Sequence, residues 1–214
     1  MAIRIQQFVP EELLAGLAAA LTEIGIFDSV TVESGTLTAE KGNVTLFTFS
    51  TPASPTFAWY NKAGTQIISG NADGVALYTV SVCGKSVMMT FASQYANPYT
   101  FVFGDTKEGS VYMGYTFDHR NELTNGQLIS LCENTTTMYA GAFQTGTSDL
   151  WSRMTPVCVQ SNVNTVETTA GIFGFVERYT GVPATSAADI TPTQYEMNGV
   201  HYLTDGSFVL EDVS

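Results

Sequence analysis

The alternation of apolar residues between positions 75 and 117 restricts this chain more than any other stretch. Tyr78, Val80 and Val82 recur at every second position, and Val87, Met89 and Phe91 follow after the Gly84-Lys85 break. Phe101 and Phe103, then Val111, Met113, Tyr115 and Phe117, stand either side of a turn at residues 104–109. Successive side chains of a strand point to opposite faces, so this period predicts four strands with one buried face, joined as an antiparallel meander.

A different period occupies the N-terminal end. Leu13, Leu17, Ala20, Leu21 and Ile24 fall at intervals of three and four, Pro10 and two glutamates occupy the first turn, and Gly25 follows. These are the marks of a helix over Pro10–Ile24, whose apolar stripe needs a cover, either the sheet of its own chain or a neighbouring subunit. Residues 29–50 hold two or three short strands with turns at Ser34-Gly35 and Gly42-Asn43. Residues 57–60 and 65–69 form a hairpin across Asn61–Gly64. Further strands are expected at 138–143, 154–159, 165–169 and 172–179, while residues 127–132 are apolar without a decisive period. Asp205-Gly206, between 200–204 and 207–211, is a two-residue signal for a type I′ hairpin. The expected fold is mainly β: antiparallel sheets, sandwich or barrel-like, with one N-terminal amphipathic helix. Residues 1–28 are read as a helical segment and 29–214 as a β domain, with a minor boundary at 51–56, where Pro52 and Pro55 lie.

Charge excludes some partners. Eight Lys+Arg against 20 Asp+Glu give a net charge of −12, which repels phosphate backbones and anionic bilayers, so no nucleic acid or membrane partner is expected. No apolar run approaches the roughly 20 residues of a spanning helix, and residues 13–21, with acidic residues before them, read as mature sequence rather than a signal peptide. The three cysteines, Cys83, Cys132 and Cys158, lack metal-ligand or disulfide-framework spacing and read as free thiols.

No residue qualifies as catalytic, cofactor-binding or metal-ligating. Gly84-Lys85-Ser86 resembles the end of a phosphate loop, but Thr79 stands where that loop needs glycine and a strand follows instead of a helix. Asp118-His119-Arg120 has no nucleophile elbow to serve, and His201 reads as a cross-strand neighbour. Asn43-Val44-Thr45 and Asn134-Thr135-Thr136 match the glycosylation pattern, which matters only in a secreted chain. One binding alternative rests on aromatic residues: Trp59, Tyr60, Tyr95, Tyr99 and Trp151 as a platform for sugar rings, making the chain a carbohydrate- or surface-binding β module.

The run from Asn198 through Tyr202, Asp205-Gly206 and Leu210 to Asp212 resembles the closing hairpin of structural proteins in tailed bacteriophages and prophages of gut Firmicutes. Thr100–Tyr112, a strand, a polar turn with Lys107 and Gly109, and a strand, is similar to their middle block. The resemblance implies a virion subunit of the tail, baseplate or neck. Such a subunit is non-enzymatic, made in the host cytoplasm, present in several copies and in contact with other virion proteins. The motif is architectural and carries over no functional residue. Homo-oligomeric rings are the common product of such repeated contacts.

Overall fold

The computed structural model describes residues 3–51, 55–72, 74–93, 99–105, 111–117, 126–132, 139–143, 155–156, 174–175, 192–197, 199–205 and 208–212. The helix, α1 (Pro10–Ile24), has the expected bounds. Pro10 takes the first position, where a missing N–H leaves no bond unmade, and Gly25 ends the helix in the left-handed region at φ 66°, its N–H donating to Thr22 O at 3.1 Å. Leu13, Leu14, Leu17, Ala20, Leu21 and Ile24 are all buried in the core formed with the strands. Of the two covers considered for the apolar stripe, the chain's own sheets supply it.

Ahead of the helix lies a strand that the apolar pattern does not reveal, β1 (Arg4–Phe8). Five further strands follow the helix in one antiparallel sheet, in sequence order: β2 (Ser29–Glu33), β3 (Thr36–Lys41), β4 (Val44–Ser50), β5 (Thr56–Tyr60) and β6 (Gln66–Asn71). Positive φ at both central residues makes the first two links type I′ turns, with Ser34 at 50° and Gly35 at 77°, then Gly42 at 60° and Asn43 at 61°. The stretch around Pro55 joins two strands of this one sheet, paired from Ser50↔Thr56 to Phe47↔Trp59.

The central sheet contains the meander, β7 (Val75–Cys83), β8 (Ser86–Ser93), β9 (Tyr99–Asp105) and β10 (Val111–Phe117). It continues through β11 (Gly126–Cys132) and β12 (Tyr139–Phe143), and β1 pairs with the outer side of β7. The undecided apolar piece at 127–132 is therefore a strand. Tyr78, Val80, Val82, Val87, Met89, Phe91, Phe101, Phe103, Val111 and Met113 are buried together, as the alternation predicts. The opposite face is buried too: Thr79, Ser81, Cys83, Ser86, Met88, Thr90, Thr100, Val102 and Tyr112 are at most 5% exposed. The expectation of one buried face is corrected here, because a third layer lies on the polar side.

That layer is a sheet of β13 (Thr155–Pro156), β14 (Gly174–Phe175), β15 (Thr193–Met197), β16 (Val200–Thr204) and β17 (Phe208–Glu211), in the order β13-β14-β17-β16-β15. Cys83 Sγ lies 3.7 Å from Leu210 O, and Thr100 Oγ1 donates to Asp205 Oδ2, so the second face of the meander meets this sheet. The terminal hairpin is present in a register that sets Thr204 opposite Val209, where a link at Asp205-Gly206 would set it opposite Ser207; Gly206 and Ser207 themselves lie outside the described residues. The Asp205 carboxylate is engaged by Thr100, which anchors the start of that link to the meander. Among the described residues no sheet closes into a barrel, and the sandwich reading is the one that stands. The expected strand at 165–169 lies outside the described residues.

Gly16 tests the packing of the helix. A Cβ there would come within 2.4 Å of the Phe8 ring, so the glycine admits β1 against the middle of α1. Gly16→Ala is expected to lower stability by about 1 kcal/mol, although alanine is the better helix former by a similar amount. In a Phe8→Ala background the same substitution should become stabilising. The check is a urea-denaturation double-mutant cycle, and a Gly16→Ala effect of the same sign in both backgrounds would refute the steric account.

Candidate functional site

The outer face of the N-terminal sheet carries two open hollows, and its composition follows from period two. Inward positions make the rows Val30-Ala39-Phe47-Trp59 and Val32-Leu37-Phe49-Phe57. The alternate positions face away and carry hydroxyls and amides. Thr31, Thr38, Thr48, Ala58 and Ser69 stand opposite one another across all five strands, and Thr36, Ser50, Thr56 and Asn71 form a neighbouring row, where the Thr36 and Ser50 hydroxyls are 3.0 Å apart.

Two register shifts shape one end of this face. In the β3/β4 ladder the shift falls after Ala39, and in the β5/β6 ladder it falls between Trp59 and Tyr60. Bulges bend a strand and re-aim its side chains. The β4/β5 ladder stops at Phe47↔Trp59, beyond which β4 runs on to its turn at Gly42-Asn43 and β5 to its turn at Asn61–Gly64. A hollow of about 540 Å³ lies between these two hairpin tips, lined among others by Thr38, Asn43, Thr45, Tyr60 and Lys62. A second hollow of about 540 Å³ adjoins it over Ala58, with Thr56, Tyr60, Gln66 and Ser69 around it. Thr48 and Tyr60 line both.

The lip of the first hollow is held by a buried amide. Asn61, 4% exposed, accepts with Oδ1 from the backbone N–H of Ala63 and of Thr65, both at 3.0 Å, and its carbonyl accepts from Gly64 N at 2.8 Å. On the opposite side Glu40 accepts from Ser29 Oγ at 3.1 Å and Thr45 Oγ1 at 3.2 Å, which ties the outward row to the sheet's edge.

Of the five aromatic residues expected in a platform, the three described ones, Trp59, Tyr60 and Tyr99, do not share one exposed face. Trp59 is fully buried, its ring 5.7 Å from that of Phe101, and adjacent strand residues cannot share a face, so Tyr60 alone of that pair reaches the outer surface. Tyr99 is half-buried on the inner side, stacked on Phe91 at 5.2 Å and edge-on to Phe57 at 6.4 Å. Tyr95 and Trp151 lie outside the described residues, as do His119 and the second glycosylation pattern at Asn134. His201 is exposed on β16 opposite Glu196, the cross-strand position expected for it. Gly84-Lys85 is the turn between β7 and β8, with a strand after it. Cys83 is a buried free thiol.

Among the described residues no three His, Cys, Asp or Glu side chains come together as a metal site, and no helix is long and apolar enough to cross a membrane. Comparison with protein-family models, curated proteins and solved structures finds no match.

Parity gives one energetic expectation. Trp59→Ala should cost about 3–5 kcal/mol, as large aromatic deletions in a packed core do, whereas Tyr60→Ala should cost about 1 kcal/mol or less. Equal losses in chemical denaturation would contradict the assigned faces. Burial also raises the Tyr99 hydroxyl above its ordinary value of 10.0. The neutral phenol is thus favoured in the folded chain, and its contribution is complete below the unfolded-state pKa and lost as pH rises through the higher folded-state pKa. Tyr99→Phe should keep its stability further into alkaline pH than the parent, and superimposable alkaline profiles would show that Tyr99 is not responsible.

Proposed function

We propose that this chain is a non-enzymatic structural subunit of an ordered assembly, a tail, baseplate or neck component of a tailed phage or prophage particle. The observation that supports assembly most directly is the open edge of the N-terminal sheet. Its last strand, β6, runs Gln66-Ile67-Ile68-Ser69-Gly70-Asn71, with no charged residue and no proline, and among the described residues no strand pairs with its outer side. Exposed edges expose unpaired N–H and C=O groups, and monomeric proteins guard them with lysine, proline or a covering element. An unguarded edge favours addition of a strand from another copy.

The buried side chains of the described residues serve packing, which suits the same role. The buried polar residues among those described are Asn, Thr and Ser, none of them ionisable, and they serve turns and layer contacts. The segments that resemble phage structural proteins fall on architecture: Thr100–Tyr112 on β9 and β10, and Asn198–Asp212 on β16 and β17. The edge β2 at the other end of the same sheet would let copies add head to tail, which closes into rings when the rotation allows.

Sedimentation and light scattering across a concentration series should show a defined oligomer. Ser69→Lys, which sets a cation in the middle of β6, should raise the midpoint concentration of association at least tenfold without changing the thermal midpoint. A strictly monomeric parent at high concentration, with no copy of the chain in purified particles by mass spectrometry, would overturn the reading.

A further inference from the structure

We infer that the paired hollows on the outer face of the N-terminal sheet form a binding site for a neutral oligosaccharide, with Tyr60 as the aromatic wall between two sugar subsites. Recognition of an uncharged sugar asks for an aromatic surface against the C–H side of the ring and a fringe of hydroxyl and amide groups for its alcohols. Both are here in one place. Tyr60 is half-exposed and lines each hollow, Ala58 makes an apolar floor, and Thr38, Thr48, Asn43, Gln66 and Ser69 supply uncharged donors and acceptors around it.

Three features make this a shaped site rather than a flat sheet. The two register shifts fall at the same end of the face, the β4/β5 ladder ends there, and the Asn61 amide fixes the tip of one bounding hairpin. The hollows adjoin through Thr48 and Tyr60, so an occupant continues from one to the other, which favours a chain of sugars over a single one. Charge narrows the class further. Lys62 is the single ionisable lining side chain besides the Tyr60 phenol, and the chain's net charge of −12 repels uronic or sialic acids at a distance. Tyr60 reaches the site from β5, but Gln66 and Ser69 of the second hollow belong to the edge strand β6, so the two readings share that strand and are separated by variants of Tyr60 and Thr48.

The test uses the full-length chain against neutral glucans, galactans, mannans and N-acetylhexosamine oligomers, with uronic and sialylated oligosaccharides alongside, read by calorimetry and by amide shifts. One neutral class is expected to bind and to shift the amides of Thr48, Ala58 and Tyr60. Tyr60→Ala should weaken it about tenfold or more, while Tyr60→Phe, which keeps the ring, should stay within about threefold. Thr48→Arg, which plants a bulky cation where the hollows meet, should abolish binding and provides the answer if Tyr60→Ala does not fold. The inference is overturned if no neutral sugar binds, if acidic sugars bind better, or if binding survives Thr48→Arg or a folded Tyr60→Ala. Oligomeric state should be the same in the parent and the Tyr60 variants, so loss of sugar binding is separable from loss of assembly.

Discussion

The contact on which the molecule depends is the aromatic seam between its N-terminal and central sheets. Phe47 meets Phe103 and Phe57 meets Phe101 with ring centroids 4.8 Å apart in edge-to-face geometry, Phe49 meets Tyr78 at 6.0 Å, and Trp59 closes on Phe101. Each such ring buries a large apolar area, and the edge-to-face arrangement adds roughly 0.5–1.5 kcal/mol per pair beyond burial. The partners come from distant parts of the sequence, from Phe49 with Tyr78 to Phe47 with Phe103, so the seam forms only when both sheets have their register. Helix α1 then completes the same core, with Leu13, Leu17 and Leu21 fully buried beside it.

The second face of the central sheet obeys another rule. Beside Met88, Val102 and Tyr112 it buries Thr79, Ser81, Ser86, Thr90 and Thr100, small polar residues of the kind that usually meet water. Small side chains let another layer approach closely, and their hydroxyls need partners once covered. Thr100 donates to Asp205, and the Cys83 thiol approaches the Leu210 carbonyl. The C-terminal layer is thus joined to the meander partly by specific polar contacts, whereas the N-terminal sheet is joined by bulk apolar area. The two interfaces of the central sheet differ in kind.

Legibility in the sequence follows these differences. The helix and the strands from β2 to β10 could be read because an apolar stripe with its own period faces one large core. β1 and β15 escaped because each is a short edge strand. In β1 only Ile5 and Phe8 are apolar, three residues apart, and β15 shows a weak Tyr195, Met197 alternation. A usable signal for β15 was the Asn-Gly dipeptide at 198–199 in the sequence; Met197 pairs with Val200 and Gly199 has φ 77°. Burial of the polar face was not legible at all, since threonine and serine at alternate positions have the same appearance beneath a third layer as beneath water. Asp205-Gly206 pointed to the hairpin but not to its register, and the contact of the Asp205 carboxylate with Thr100 is a tertiary one that local propensity does not contain.

The candidate site was half legible for a related reason. An aromatic pair at 59 and 60 reads as one exposed platform, yet the pleat sends the two rings to opposite sides of the sheet. Trp59 then belongs to the seam and holds the sheets together, while Tyr60 stands among the hydroxyls. Which of the two faces outward is decided by Phe47 and Phe57, whose rings must meet Phe101 and Phe103; a one-residue slip of β5 would expose Trp59 and bury Tyr60 against them. The pleat of β5 alone separates the two rings, and the register shift beside them adds its extra residue, Ile67, on the neighbouring strand β6. The outer surface is therefore positioned by the core beneath it, and its site residue is the neighbour of a residue that could never have served.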